Sequence, residues 1–202
     1  MFSISRKLRR EEKSVGFVPT MGALHAGHLA MVKEARATCD IVIVSIFVNP
    51  TQFNNQSDLE KYPRDLTADA AILTEYDVDY VFAPETPEIY PDGFSTYVDV
   101  EGLTEMLEGA SRPGHFRGVA TVVTILFNTI RPDFAFFGQK DAQQVAVIKR
   151  LTRDLGFETE IVVIPVIREE SGLALSSRNT LLSTEEQQKA VIIIEADRKS
   201  VV

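Results

Sequence analysis

The chain has 202 residues, and its 21 lysines and arginines against 29 aspartates and glutamates give a formal charge of −8. A hydrophobic share of 45% beside 25% charged residues excludes disordered and fibrous classes. A chain of this length buries roughly 70% of the surface its unfolded form exposes, enough for a real core. The acidic excess disfavours nucleic acid as a partner, because phosphate backbones want a basic face. A single cysteine, Cys39, excludes an internal disulfide and a cysteine-rich metal site, which suits a reducing cytoplasm. The N-terminal MFSISRKLRREEK lacks the apolar run of a secretory signal, and the apolar runs at 41–44 and 191–194 are too short to span a bilayer. The expectation is a soluble cytoplasmic protein with no membrane partner.

Taken in chain order, short apolar runs alternate with amphipathic stretches. Residues 15–19 read as a buried strand closed by Pro19, and residues 27–38 as a helix. The β-branched run 41–47 reads as a strand buried on both faces. A helix over 66–75, a strand over 80–83, a weakly alternating strand over 96–100 and an apolar helix over 119–130 follow. The series ends with a strand at 134–137, a helix at 142–155 stopped by Gly156 and a strand at 160–165. Strands alternating with helices predict an α/β fold, a Rossmann-like parallel sheet with helices on both faces. In such sheets ligands bind beyond the carboxyl ends of the strands. The four loops at 20–28, 49–53, 138–144 and 168–179, polar or glycine-rich, are therefore the candidate site.

The first loop has neither GxGxxG nor GxxxxGK[ST], so a dinucleotide turn and a P-loop are both disfavoured. It offers His25 and His28, three residues apart at a strand-to-helix junction. There both imidazoles can face one ligand, beside free N–H groups and the positive end of the helix dipole. That makes an anion site able to gain positive charge as a phosphate leaves; the alternatives are a zinc pair short of ligands and a pair facing only water. In Gly138-Gln139-Lys140-Asp141, Gly138 allows close backbone approach and Lys140 supplies a point charge for phosphate. Asp141 caps the next helix or takes ribose or a water-bound Mg²⁺, while the plainer reading is a capped helix start with a solvated lysine.

The string VPTMGALHAGH at 18–28 contains the HxGH signature of the superfamily that includes class I aminoacyl-tRNA synthetases and nucleotidylyltransferases, and as a whole it resembles the pantoate–β-alanine ligase family. Further stretches match in the same order: SIFVNPTQF at 45–53, YPR at 62–64, EGASRPGHFRGV at 108–119, FGQKDAQQ at 137–144 and GLALSSRN at 172–179. The resemblance covers residues 15 to about 185. It implies an ATP-dependent, AMP-forming condensation of pantoate with β-alanine to pantothenate, through a pantoyl-adenylate and with loss of pyrophosphate, in coenzyme A biosynthesis. ATP enters as a substrate with Mg²⁺, with no tightly bound cofactor and no structural metal, and the resemblance implies a homodimer.

The resemblance also assigns residues. His28, at the family's proton-donor position, His25 and Lys140 are the catalytic candidates. Nucleotide contacts fall on Met21, Gly22, Ala23, Leu24, His25, Ala26, Gly27, His28, Gly138, Gln139, Lys140, Asp141, Ile167, Leu175, Ser176, Ser177 and Arg178. The Ser-Ser-Arg loop stands where related adenylating enzymes carry a KMSKS-type loop; lysine is absent there, so Lys140 and Arg178 share the charge. Gln52 and Gln144 match the pantoate-binding glutamines, a neutral amide being suited to hydroxyls. Arg112, His115 and Arg117 either approach the phosphates or belong to a surface loop. Expected domains are 1–174, binding nucleotide and pantoate, and 175–202, a hinge loop with the first part of a truncated C-terminal domain whose opening helix leaves Val191, Ile192, Ile193 and Ile194 unpartnered. A nucleotidylyltransferase would share HxGH without explaining the paired glutamines; an aminoacyl-tRNA synthetase fragment would need a basic face. A nucleotide-binding module without turnover is the non-enzyme alternative.

Overall fold

The computed structural model describes residues 1–192, without the side chains of Thr180 and Leu181. Five strands form one sheet: β1 (Val15–Thr20), β2 (Ile41–Ile46), β3 (Tyr80–Phe82), β4 (Phe134–Gly138) and β5 (Glu160–Ile164). Every pairing is parallel and the order is β3-β2-β1-β4-β5. The helices are α1 (Phe2–Arg10), α2 (Ala26–Thr38), α3 (Gln56–Lys61), α4 (Leu66–Thr74), α5 (Thr86–Ile89), α6 (Glu108–Ser111), α7 (His115–Ile130), α8 (Ala142–Asp154) and α9 (Thr184–Ala190).

Period-2 alternation along the buried strands splits the core between the two sheet faces. Phe17, Ile43, Ala135 and Phe137 meet Leu8 of α1, the apolar side of α7, and Val145 and Ile148 of α8. Val18, Val42, Val44, Phe136 and Ile164 meet Met31, Val32 and Ala35 of α2 and Leu73 of α4. The doubly wound α/β architecture is thus as expected. Cys39 is buried, and burial pushes its thiol up to about 11, so it stays protonated near neutrality.

One expected strand does not form. Residues 96–100 make no ladder. Instead the Val98 N–H donates to Thr121 Oγ1 of α7 (3.0 Å), and Val98 and Val100 pack with Phe116, Ala120, Val147 and Leu151. The alternation reflected one-sided burial, but the covering partner is a pair of helices. Helix α7 also begins at His115, four residues before the expected start, after Gly114 in the left-handed region (φ 81°). Ser183 caps α9 in a capping box with Glu186. Ile192 is exposed, whereas Ile193 and Ile194 lie outside the described residues.

Candidate active site

The chain runs from β1 outward to β3, then crosses back to lay β4 on the other side of β1. That reversal opens a crevice beyond the carboxyl ends of the strands. The crevice holds a cavity of about 210 Å³, partly open to solvent, and all four candidate loops reach its wall.

His25 is the N-cap of α2, and its Nδ1 accepts the Gly27 N–H at 3.1 Å. His28, three residues on, returns the bond: its Nδ1 accepts the His25 N–H at 3.3 Å. Two imidazoles thus build a capping box that usually takes a hydroxyl and a carboxylate. The rings lie 4.1 Å apart, tilted by 45°. Because both Nδ1 atoms accept, the ring protons sit on Nε2, leaving two neutral N–H donors for the cavity. Burial, with His25 and Lys140 nearby, lowers His28 to about 3; burial and Lys140 lower His25 as well. In this ligand-free arrangement protonating Nδ1 would break the cap, so the pair presents neutral donors to the cavity.

The sign of the resulting pH dependence is fixed. A histidine with a lowered folded pKa binds its proton in the unfolded chain first, so its stabilising contribution is complete above about 6.5 and declines as pH falls toward about 3. The urea midpoint of the wild type should fall more steeply from pH 7 to 4.5 than that of His28→Gln. Parallel pH profiles for the two proteins would contradict the buried neutral ring.

The turn before α2 is pinned from outside the motif. Gly22 and Ala23 both have positive φ (82° and 52°), and three successive N–H groups there need acceptors. Gly22 N–H goes to Thr20 Oγ1 (3.2 Å), which itself donates to the Ser45 carbonyl (2.7 Å). Ala23 and Leu24 N–H go to the two carboxylate oxygens of Asp69 on α4, at 3.0 and 2.9 Å. Asp69 is only 4% exposed. Sequence reading missed it, since an aspartate inside LTADAAILT looks like an ordinary helix residue. Gly22, Ala23, Leu24, Ala26 and Gln139 accordingly are not on the cavity wall, whereas Met21, His25, Gly27, His28, Gly138, Lys140, Asp141, Ile167 and Leu175 through Arg178 are.

Gln52 and Gln144 both reach the wall, the latter from the first turn of α8. Gln52 is held by Asn49, a second residue without an assigned role in the sequence reading. Asn49 Nδ2 donates to Gln52 Oε1 (3.0 Å) and to the Gly118 carbonyl (3.1 Å), while its Oδ1 accepts from Tyr90 and Thr51. With Oε1 engaged, Gln52 turns its Nε2 toward Met21 Sδ, 3.1 Å away. Gly118 lets α7 approach this turn: a Cβ there would meet the Thr51 carbonyl oxygen at 2.6 Å.

None of Arg112, His115 and Arg117 is on the cavity wall; His115 is buried, Arg112 partly so, and Arg117 is exposed. His115 Nδ1 lies 2.8 Å from the Gln52 carbonyl, which Arg112 also reaches at 3.3 Å, and Arg117 stacks over Tyr97. His115 and Arg112 thus support the Gln52 turn, while Arg117 is exposed beside Tyr97.

Among the described residues, the two lysine or arginine side chains on the wall are paired with carboxylates. Lys140 Nζ is 2.7 Å from Asp141, and Arg178 bridges to Asp58 of α3 at 3.0 Å while lying over Tyr62. Half-exposed pairs of this kind are worth about 0–1 kcal/mol, so a polyphosphate can compete for either cation. Among the described residues the wall thus combines N–H donors and cations with aliphatic side chains and amides.

A family model for pantoate-beta-alanine ligase matches residues 1–200. The chain belongs to the pantoate-beta-alanine ligase family. Within that family it is 57% identical over 191 residues to the pantothenate synthetase of Thermosipho africanus, covering 95% of this chain and 69% of that relative. The solved pantothenate synthetase of Thermus thermophilus superposes with a TM-score of 0.90 at 54% identity, over 95% of this chain and 71% of the other. The ligase of Francisella tularensis, crystallised with a β,γ-ATP compound and beta-alanine, gives 0.89 at 45% identity, over 96% and 76%. This ligase-family chain thus spans about seven tenths of its relatives' length. Among its described residues no helix is long and apolar enough to cross a membrane.

Proposed function

We propose that this chain catalyses ATP-dependent condensation of pantoate with β-alanine, through a pantoyl-adenylate. The observation that carries the reading is one crevice joining the His25–His28 donor pair and Lys140 to a chamber edged by Gln52 and Gln144. A pantoate carboxylate oxygen attacks the α-phosphorus of ATP in line; a P–O bond forms, the bond to the β-phosphate breaks, and pyrophosphate leaves with the electron pair. The β-alanine amine then attacks the acyl carbon, loses a proton, and AMP departs. The chain's own part is positioning and charge neutralisation. Nε2–H groups of His25 and His28 and the Lys140 ammonium face the phosphates; Ser176, Ser177 and Arg178 close over the leaving group. Residues 1–174 hold nucleotide and acid, and the segment from 175 supplies the closing loop.

Mg²⁺ fits only as a companion of the nucleotide. Among the described residues Asp141 is the one carboxylate on the wall, and they contain no cluster of three or more metal-binding side chains. A hard cation held by one carboxylate plus phosphates matches that donor set, and the ion would neutralise phosphate charge.

Pantoate-dependent exchange of labelled pyrophosphate into ATP tests the reading; exchange that ignores pantoate would refute it. Gln52→Ala and Gln144→Ala should each weaken pantoate by roughly ten-fold or more, as expected when a buried hydroxyl loses its partner, while ATP affinity changes little. Calorimetric titration of both ligands decides this. Equal losses for ATP and pantoate would point to general unfolding.

A further inference from the structure

Among the described residues one buried side-chain polar atom has no hydrogen-bond partner: Ser45 Oγ. Ser45 is 0% exposed, and it sits in the middle of the sheet, where β2 pairs with β1 and β3 on either side. Its own carbonyl is taken by Thr20, so the hydroxyl is the only group it has left to offer. By strand alternation Ser45 faces the same side as Ile43 and Phe47, toward α7, and it lines the cavity there together with Phe47, Val119, Val122, Val123 and Leu126. Burying a hydroxyl without a partner costs about 1–3 kcal/mol, and the neighbouring positions of β2 are all valine or isoleucine. A lone hydroxyl among aliphatic side chains on a cavity wall calls for a ligand that is apolar in its body and polar at one point.

We propose that Ser45 is a specificity-determining residue whose Oγ hydrogen-bonds the terminal hydroxyl of the acid substrate. The inference rests on the pantoate reading above. Pantoate is a four-carbon acid with a dimethylated carbon between its two hydroxyl-bearing carbons. With its carboxylate at the histidine end, where adenylation occurs, its methyls fall among the valines of α7 and its primary hydroxyl reaches furthest into the chamber. Gln52 and Gln144 serve the hydroxyl nearer the carboxylate. Ser45 thereby distinguishes pantoate from the same acid with a methyl in place of the CH₂OH group, 2-hydroxy-3,3-dimethylbutanoate, which an all-aliphatic chamber would accept equally well.

The test compares these two acids in acid-dependent ATP–pyrophosphate exchange, in wild type and Ser45→Ala. The wild type should prefer pantoate by roughly ten-fold or more in kcat/KM, the scale of one buried hydrogen bond. S45A should lose most of that preference by losing activity on pantoate while keeping it on the analogue, with KM for ATP unchanged. A preference that survives in S45A, or an equal loss on both acids, overturns the proposal and leaves the pantoate reading intact. Exchange with neither acid in wild type overturns that reading and, with it, the role of Ser45. Thermal melting without ligand gives an independent check. If Oγ has no partner in the fold, S45A melts no lower than wild type; a clearly lower Tm means the hydroxyl already serves the protein itself, and the proposal falls.

Discussion

His28→Ala should slow pantoyl-adenylate formation by roughly 10²–10³, the usual scale for loss of one preorganised transition-state donor. Alanine removes two things together: the Nε2–H that faces the cavity and the Nδ1 that accepts the His25 N–H. Substitutions at the same site separate them. His28→Glu restores an acceptor for the cap, since glutamate at this third helical position is the ordinary capping-box residue, but it turns a negative charge toward phosphate. His28→Gln supplies both an acceptor and a neutral N–H. Single-turnover adenylation should therefore rank wild type above H28Q, with H28A and H28E both far lower. If H28E matched H28Q, the ring would matter only as a cap. Because burial lowers His28 of the free protein to about 3, its protonation should leave no step in kcat/KM between pH 6 and 8.

Asp69→Ala should be the most damaging change outside the cavity wall. It orphans the Ala23 and Leu24 N–H groups within a turn that already holds a non-glycine residue at φ 52°. Each donor left without water or protein costs about 1–3 kcal/mol, and for a chain of this size a few kcal/mol lowers Tm by roughly 5 °C or more. The consequence for catalysis follows from position. The pinned turn sets where α2 begins, and hence where the two imidazoles point, and an ångström of drift in such groups costs about 10²-fold in rate. Asp69→Asn preserves shape but offers only one acceptor, so it should fall between wild type and D69A in both Tm and exchange rate. Wild-type Tm and exchange in D69A would show that the turn holds itself without the carboxylate.

The sheet was largely legible in the chain because burial on both faces leaves nearly unbroken β-branched runs, as in Ile41–Ile46, and because each apolar run is followed by turn chemistry. The same logic failed at 96–100. Alternation says that one side of a segment is buried, and it is silent on whether a strand or a helix does the covering; here Thr121 and Phe116 of α7 do it. The short helices α3, α5 and α6 were missed for a related reason: each spans at most six residues, too few for a 3.6-residue period to register.

The candidate site divides along a similar line. Local sequence by itself determined that histidines, lysine, amides and a hydroxyl-rich loop follow the strands, because residue type and order along one loop are local facts. Which of them face the ligand, and in which protonation state, only the tertiary structure decided. Asp69 lies 46 residues from the Ala23 N–H it accepts, and His115 lies 63 residues from the Gln52 carbonyl. Lys140, on the loop that follows β4, helps hold His28 neutral. Hydrogen bonding and electrostatic coupling depend on distance through space, and the sheet order that places β4 beside β1 sets those distances. Ser45 makes the same point: in sequence it is a polar residue in an apolar strand, and only the packed chamber around it leaves its hydroxyl without a partner.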